Sequence, residues 1–106
     1  DPSDTFKADL AASFQKAVAD TLFLKSQLAI AQNGLDQLVI GGGVASNKYI
    51  RKRLIEGLQG NKIFFPPINR CTDNGAMVAV TGHYRLSKKN ISSDIVIRPK
   101  WNLSEL

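Results

Sequence analysis

Apolar residues recur at spacings of three and four through the first third of the chain: Phe6, Leu10, Phe14, Ala17, Thr21, Leu24 and Leu28, with Lys7, Lys16, Asp20 and Lys25 off the stripe. That period predicts a long amphipathic α-helix. Ser3 or Asp4, just after Pro2, is a natural cap for its start, and Asn33-Gly34 supplies a left-handed stop. Val18, Leu22 and Ile30 widen the face beyond a two-stranded coiled-coil seam. The expectation is a helix buried by this stripe against a sheet or several helices.

The pattern then changes. A short apolar run, Leu38-Val39-Ile40, ends in Gly41-Gly42-Gly43 and is followed by helical spacing at Tyr49/Ile50, Leu54/Ile55 and Leu58. Gly60-Asn61 closes that helix, and Lys62-Ile63-Phe64-Phe65 is a second β-prone run stopped by Pro66-Pro67. Strand, helix, strand in that order predicts a crossover joining two parallel strands. A third helix is expected from about Thr72 to Ser87, with Gly75, Ala79 and Gly82 on one smooth face and Met77 in the core. A polar linker at Ser87 to Ser93, an alternating run at Ile95 to Ile97 and a Pro-Lys-Trp tail complete the chain, with Trp101 expected to pin the tail. The fold class is therefore α/β, in a single domain spanning residues 1–106.

Composition narrows the function classes. At 106 residues the chain is long enough for one core without staples. Its single Cys71 excludes an intrachain disulfide or a Cys/His zinc cluster and suits a reducing compartment. No apolar run approaches the roughly 18 residues of a membrane span, and Asp1-Pro2-Ser3-Asp4 is unlike a signal peptide, so a cytoplasmic protein is expected. A net charge of +5 is compatible with an acidic partner and equally with ordinary solubility.

In a parallel sheet, ligands bind at the carboxyl ends of the strands. Both informative loops, Gly41 to Asn47 and Pro66 to Asn74, leave such ends and so lie on one edge. Glycines there let a backbone approach a sugar or phosphate, and the next helix offers free N–H groups, although a tight strand-to-helix turn also accounts for them. Asn47 either caps the helix or reads a ribose hydroxyl or base edge. Asp73 is either a first-turn carboxylate favoured by the helix dipole or a hard oxygen ligand, or base, at the crevice. Lys48, Arg51, Lys52 and Arg53 form a basic cluster, a solvated face or a contact for RNA phosphates. Cys71 lacks a partner that would make it a nucleophile, and lone His83 is expected on a surface or in packing.

The run Leu38-Val39-Ile40-Gly41-Gly42-Gly43-Val44-Ala45-Ser46-Asn47, then Phe64-Phe65-Pro66-Pro67 and Cys71-Thr72-Asp73-Asn74-Gly75-Ala76-Met77, resembles the C-terminal part of the tRNA threonylcarbamoyladenosine transferase family, once called glycoprotein endopeptidases. The closing Arg98-Pro99-Lys100-Trp101 and Leu103 are similar to that family's terminal signature. The resemblance implies one lobe, the second, of an actin-like, sugar-kinase-like (ribonuclease H-like) fold. It implies transfer of threonylcarbamoyl from threonylcarbamoyl-adenylate to N6 of the adenosine beside the anticodon of tRNA. On that basis Gly41, Gly42, Gly43 and Asn47 hold the adenylate, and Asp73 is one ligand of a divalent metal, iron with zinc or magnesium as alternatives. The family's other metal ligands are two His residues of the first lobe, which this chain lacks. The resemblance thus implies an incomplete site, a first lobe and accessory proteins of the threonylcarbamoylation complex as partners, and an isolated chain unable to catalyse the transfer. Two other readings remain: the nucleotide lobe of a sugar-kinase-like phosphotransferase, and a non-enzymatic RNA-binding module using the basic cluster.

Overall fold

The computed structural model describes residues 1–88, 97 and 102. The linker beyond Lys88, the alternating run apart from Ile97, and the Arg98-Pro99-Lys100-Trp101 tail lie outside the described residues. By chain packing the molecule falls into two compact units, residues 1–73 and residues 74–106.

In the first unit, helix α1 runs from Asp4 to Asn33. Ser3 caps it by accepting from the Phe6 N–H at 3.2 Å, and Gly34 stops it at φ 60°, ψ 32°. Strand β1 (Gln37–Val39) follows, then a 3-10 turn at Gly43–Ser46, helix α2 (Lys48–Gly57), strand β2 (Lys62–Phe64) and a second 3-10 turn at Ile68–Arg70. The strands pair in parallel in the register Gln37–Lys62, Leu38–Ile63 and Val39–Phe64. Backbone bonds from Lys62 N–H to Asp36 O (2.8 Å) and from Ile40 N–H to Phe64 O (3.0 Å) carry the ladder past both ends.

Alternation along the strands sorts their side chains. Leu38, Ile40, Ile63 and Phe65 pack against a core of Ala19, Ile30, Ile50, Leu54 and Leu58, while Val39 and Phe64 turn away and stay exposed. The β1-α2-β2 unit with α1 laid beside it is the expected arrangement, with one correction. The stripe expected to bury α1 is open to solvent: Phe6, Leu10, Phe14, Leu24 and Leu28 are all more than half exposed, and Ala17 and Thr21 are exposed too. The contact runs instead along the nearly opposite face, through Val18, Ala19, Phe23 and Ile30.

The reason is close approach. Ala19 is fully buried, and a Cβ on Gly57 of α2 would collide with the ring of Phe23. Two small residues therefore let the helices meet where bulkier ones would hold them apart. Polar groups complete this face: the Arg53 guanidinium lies 3.9 Å from the centroid of the Phe23 ring, and Arg53 Nε donates to Asp20 at 2.7 Å. Asp20 also accepts from Lys16 Nζ at 2.6 Å. Those bonds, Lys16 first and Arg53 second, hold the Asp20 carboxyl below the ordinary carboxylate range, and the same contact raises Lys16.

In the second unit, helix α3 spans Gly75–Ser87. It starts later than the expected Thr72, because Asn74 is extended (φ −151°, ψ 156°) and its side chain accepts from the Met77 N–H at 3.1 Å. Asp73 therefore precedes the cap rather than occupying the first turn. Met77, expected in the core, is half exposed, and no residue of α3 is buried. A Cβ at Gly75 or Gly82 would meet nothing within 4 Å.

Candidate functional site

The first loop is built by one backbone requirement and one cap. Gly42 sits at φ 88°, ψ 171°, a region essentially closed to other residues. The chain then tightens into the 3-10 turn, with Ala45 N–H bonded to Gly42 O (3.0 Å) and the Ser46 hydroxyl donating to Gly43 O (2.7 Å). Asn47 closes it and opens α2: its Oδ1 accepts from the N–H groups of Tyr49 (2.9 Å) and Ile50 (3.2 Å). Its Nδ2 donates to Gln15 Oε1 of α1 at 3.2 Å. Both ends of the Asn47 amide are thus engaged inside the protein, as a cap and as a tie between the loop and α1.

Gly41 differs from Gly42. Its φ lies outside the left-handed region, and a Cβ there would meet nothing within 4 Å. Gly43 needs its glycine little more, since a Cβ would make an ordinary contact of 3.9 Å with Thr72 Cγ2. Of the three glycines, only Gly42 is required by the turn. That virtual contact also shows the two loops meeting, with Gly43 of the first beside Thr72 of the second.

The second loop is organised by Arg51 of α2. Its Nε donates to Ala45 O, and one terminal nitrogen donates to Pro66 O (2.6 Å) and to Cys71 Sγ (3.2 Å). The guanidinium lies 4.6 Å from the centroid of the Phe65 ring. Cys71, only 2% exposed, donates its S–H to Pro67 O at 3.4 Å, which makes it a packing residue and not an accessible nucleophile. Asp73 follows two residues later. It is exposed, and no hydrogen bond or ion pair among the described residues engages it.

The basic cluster divides. Arg51 and Arg53 flank the buried side of α2 and are committed to the body of the protein, whereas Lys48 and Lys52 are exposed. Lys52 lies 3.8 Å from Glu56, a solvent-exposed pair of small energetic value. His83 is exposed on α3. Sequence reasoning missed the inward roles of Arg51 and Arg53, although helical spacing contained the signal. Turning by about 100° per residue, Arg51 and Arg53 border Ile50 and Leu54, while Lys48 and Lys52 fall opposite. Gln15 and Gly57 were also missed, and no local pattern marks either one.

Among the described residues, no group of three or more His, Cys, Asp or Glu side chains converges on a point. One monodentate carboxylate does not hold a divalent cation, which needs about four or more donors. Asp73 can supply a single ligand and no more.

A glycine turn and a second loop that meet at the carboxyl edge of a parallel strand pair, with helices packed beside it, mark an α/β protein. The family model of TsaD, tRNA N6-adenosine threonylcarbamoyltransferase, matches residues 3–80, and the chain belongs to that family. The match spans α1 through the first part of α3 and contains every residue of the edge.

Proposed function

We propose that the edge formed by residues 41–47 and 66–73 is one wall of the transfer site of a tRNA-modifying enzyme, within one lobe of an actin-like fold. Gly41 to Gly43 receive the adenylate of threonylcarbamoyl-adenylate, with the backbone of the turn facing its ribose and phosphate. Asn47 serves this wall by holding the turn against α1 and α2, since its own amide is already engaged. Asp73 supplies one oxygen to a divalent cation, iron with zinc or magnesium as alternatives, and the remaining ligands come from residues outside this chain. The acceptor is N6 of the adenosine beside the anticodon, and Lys48 and Lys52, the two exposed members of the basic cluster, meet tRNA phosphates. Accessory proteins of the threonylcarbamoylation complex and a first lobe complete the assembly, in the cytoplasm. No described helix is long and apolar enough to cross a membrane.

The observation that carries this reading is the pairing of two residues that folding does not use. Gly41 is a glycine without a conformational or packing reason among the described residues, and Asp73 is a carboxylate that no described residue engages, on two loops that touch. Family membership favours the transferase over a sugar phosphotransferase. The complete transferase carrying Asp73→Ala, expressed in cells lacking the native enzyme, is expected to leave tRNA without threonylcarbamoyladenosine. Undiminished modification, read by mass spectrometry of tRNA nucleosides, overturns the role of Asp73. The 106-residue chain by itself is expected to show no transfer.

A further inference from the structure

We propose that Arg51 is a positioning residue that fixes the two edge loops relative to each other, and so sets where Gly41 and Asp73 stand. The inference rests on the reading of that edge as the ligand site, and adds the device that holds it together.

A guanidinium carries five N–H donors in a rigid planar fork, and Arg51 spends them on separate segments. Ala45 O belongs to the first loop, Pro66 O to the start of the second, and Cys71 Sγ to the stretch two residues before Asp73. The ring of Phe65, the residue that leaves β2, lies 4.6 Å from the guanidinium and confines it. The residue itself rides on a helix anchored by Ile50 and Leu54, which are 3% and 2% exposed. One side chain on a rigid helix therefore clasps both loops.

Gly43 of the first loop also approaches Thr72 of the second. The hydrophobic core of Ala19, Ile30, Ile50, Leu54 and Leu58 does not include Arg51, so losing the clasp is expected to release the loops without dissolving the fold. A lysine keeps the charge but presents one compact ammonium, which cannot reach Ala45 O and Cys71 Sγ together in the geometry of the fork.

Cys71 reports on the clasp directly, because it is the sole cysteine of the chain and is nearly inaccessible. Its reaction with Ellman's reagent is measured for the 106-residue chain and for Arg51→Met and Arg51→Lys. Thermal unfolding followed by circular dichroism monitors the fold. The expected result is an increase of about tenfold in thiol reaction rate for Arg51→Met, and a smaller increase for Arg51→Lys, with cooperative unfolding retained. A thiol that stays as protected in both variants as in the native chain overturns the proposal. If Arg51→Met does not fold, Arg51→Lys decides by the same reading. Equilibrium dialysis with adenosine monophosphate separates this proposal from the site reading: Gly41→Val and Arg51→Lys are each expected to weaken binding by about fivefold or more. Absence of nucleotide binding by the native chain counts against the nucleotide site, while the thiol rate alone decides on Arg51.

Discussion

The two loops at the carboxyl edge both lead a strand towards a helix, and they are held in different ways. The first, residues 41–47, is largely self-contained: one glycine in a region closed to other residues, a 3-10 turn with its own backbone bonds, and an asparagine that caps the next helix. The second, residues 66–73, has a short 3-10 turn of its own but is anchored by a side chain from elsewhere, through Arg51 to Pro66 and Cys71. Local rules thus specify most of the first loop, to which Arg51 adds one bond at Ala45 O, whereas the second takes its side-chain anchors from α2. This matters for Asp73, because a substitution far from it can move it.

Three substitutions test that contrast. Leu54→Ala is expected to act most strongly, since Leu54 is 2% exposed at the centre of α2 and that helix carries both Asn47 and Arg51. A loss of about 2–5 kcal/mol in urea unfolding is expected, with both loops disturbed together. A loss well under that range would show that α2 is not the common support. Gly42→Ala comes next: forcing an L-residue into φ 88°, ψ 171° is expected to cost about 1–3 kcal/mol while leaving Cys71 protected. Cys71 becoming reactive in this variant would mean that the two loops move as one unit. Asn47→Ala removes the cap and the Gln15 tie, for about 1 kcal/mol, with thiol protection again kept.

The smallest effect is a pH dependence at the junction of α1 and α2. Asp20 has a folded-state pKa depressed by its bonds from Lys16 and then Arg53. Its contribution to stability is therefore present above the unfolded-chain value of about 3.9 and is lost as pH falls through the lower folded value. Asp20→Asn is expected to be less stable than the native chain at neutral pH, with the difference shrinking below about pH 4. Lys16, raised by the same contact, acts in the opposite sense: its contribution holds below about pH 10.4 and fades as pH climbs through its folded value. An acid unfolding profile identical in both proteins would remove Asp20 from the account.

Much of the candidate site was legible before the structure. The strand, glycine turn, helix and strand of residues 38–65 announced a parallel pair, and a parallel pair puts both following loops on one edge. The caps Ser3 and Asn47 and the stop at Gly34 are local chemistry, readable from residue type and position alone. Asp73 was expected in the first turn of α3 and instead stands just before the cap, because Thr72 and Asn74 both make good caps and the helix starts from the second. Only the extended backbone at Asn74 decides between them.

The sequence by itself determined the order of elements, the α/β class and the residues available at the edge, because periodicity and turn chemistry are local properties of the chain. It did not determine which face of α1 is covered. Both faces carry apolar residues, and the richer one, Phe6 to Leu28, is the one left open. The choice fell to the face where Ala19 and Gly57 permit close approach and where Asp20 can meet Arg53, and neither condition exists until α2 is folded alongside. The same holds for Arg51: its residue type was visible from the start, but its role required three acceptors from three segments to converge, which only tertiary structure brings about.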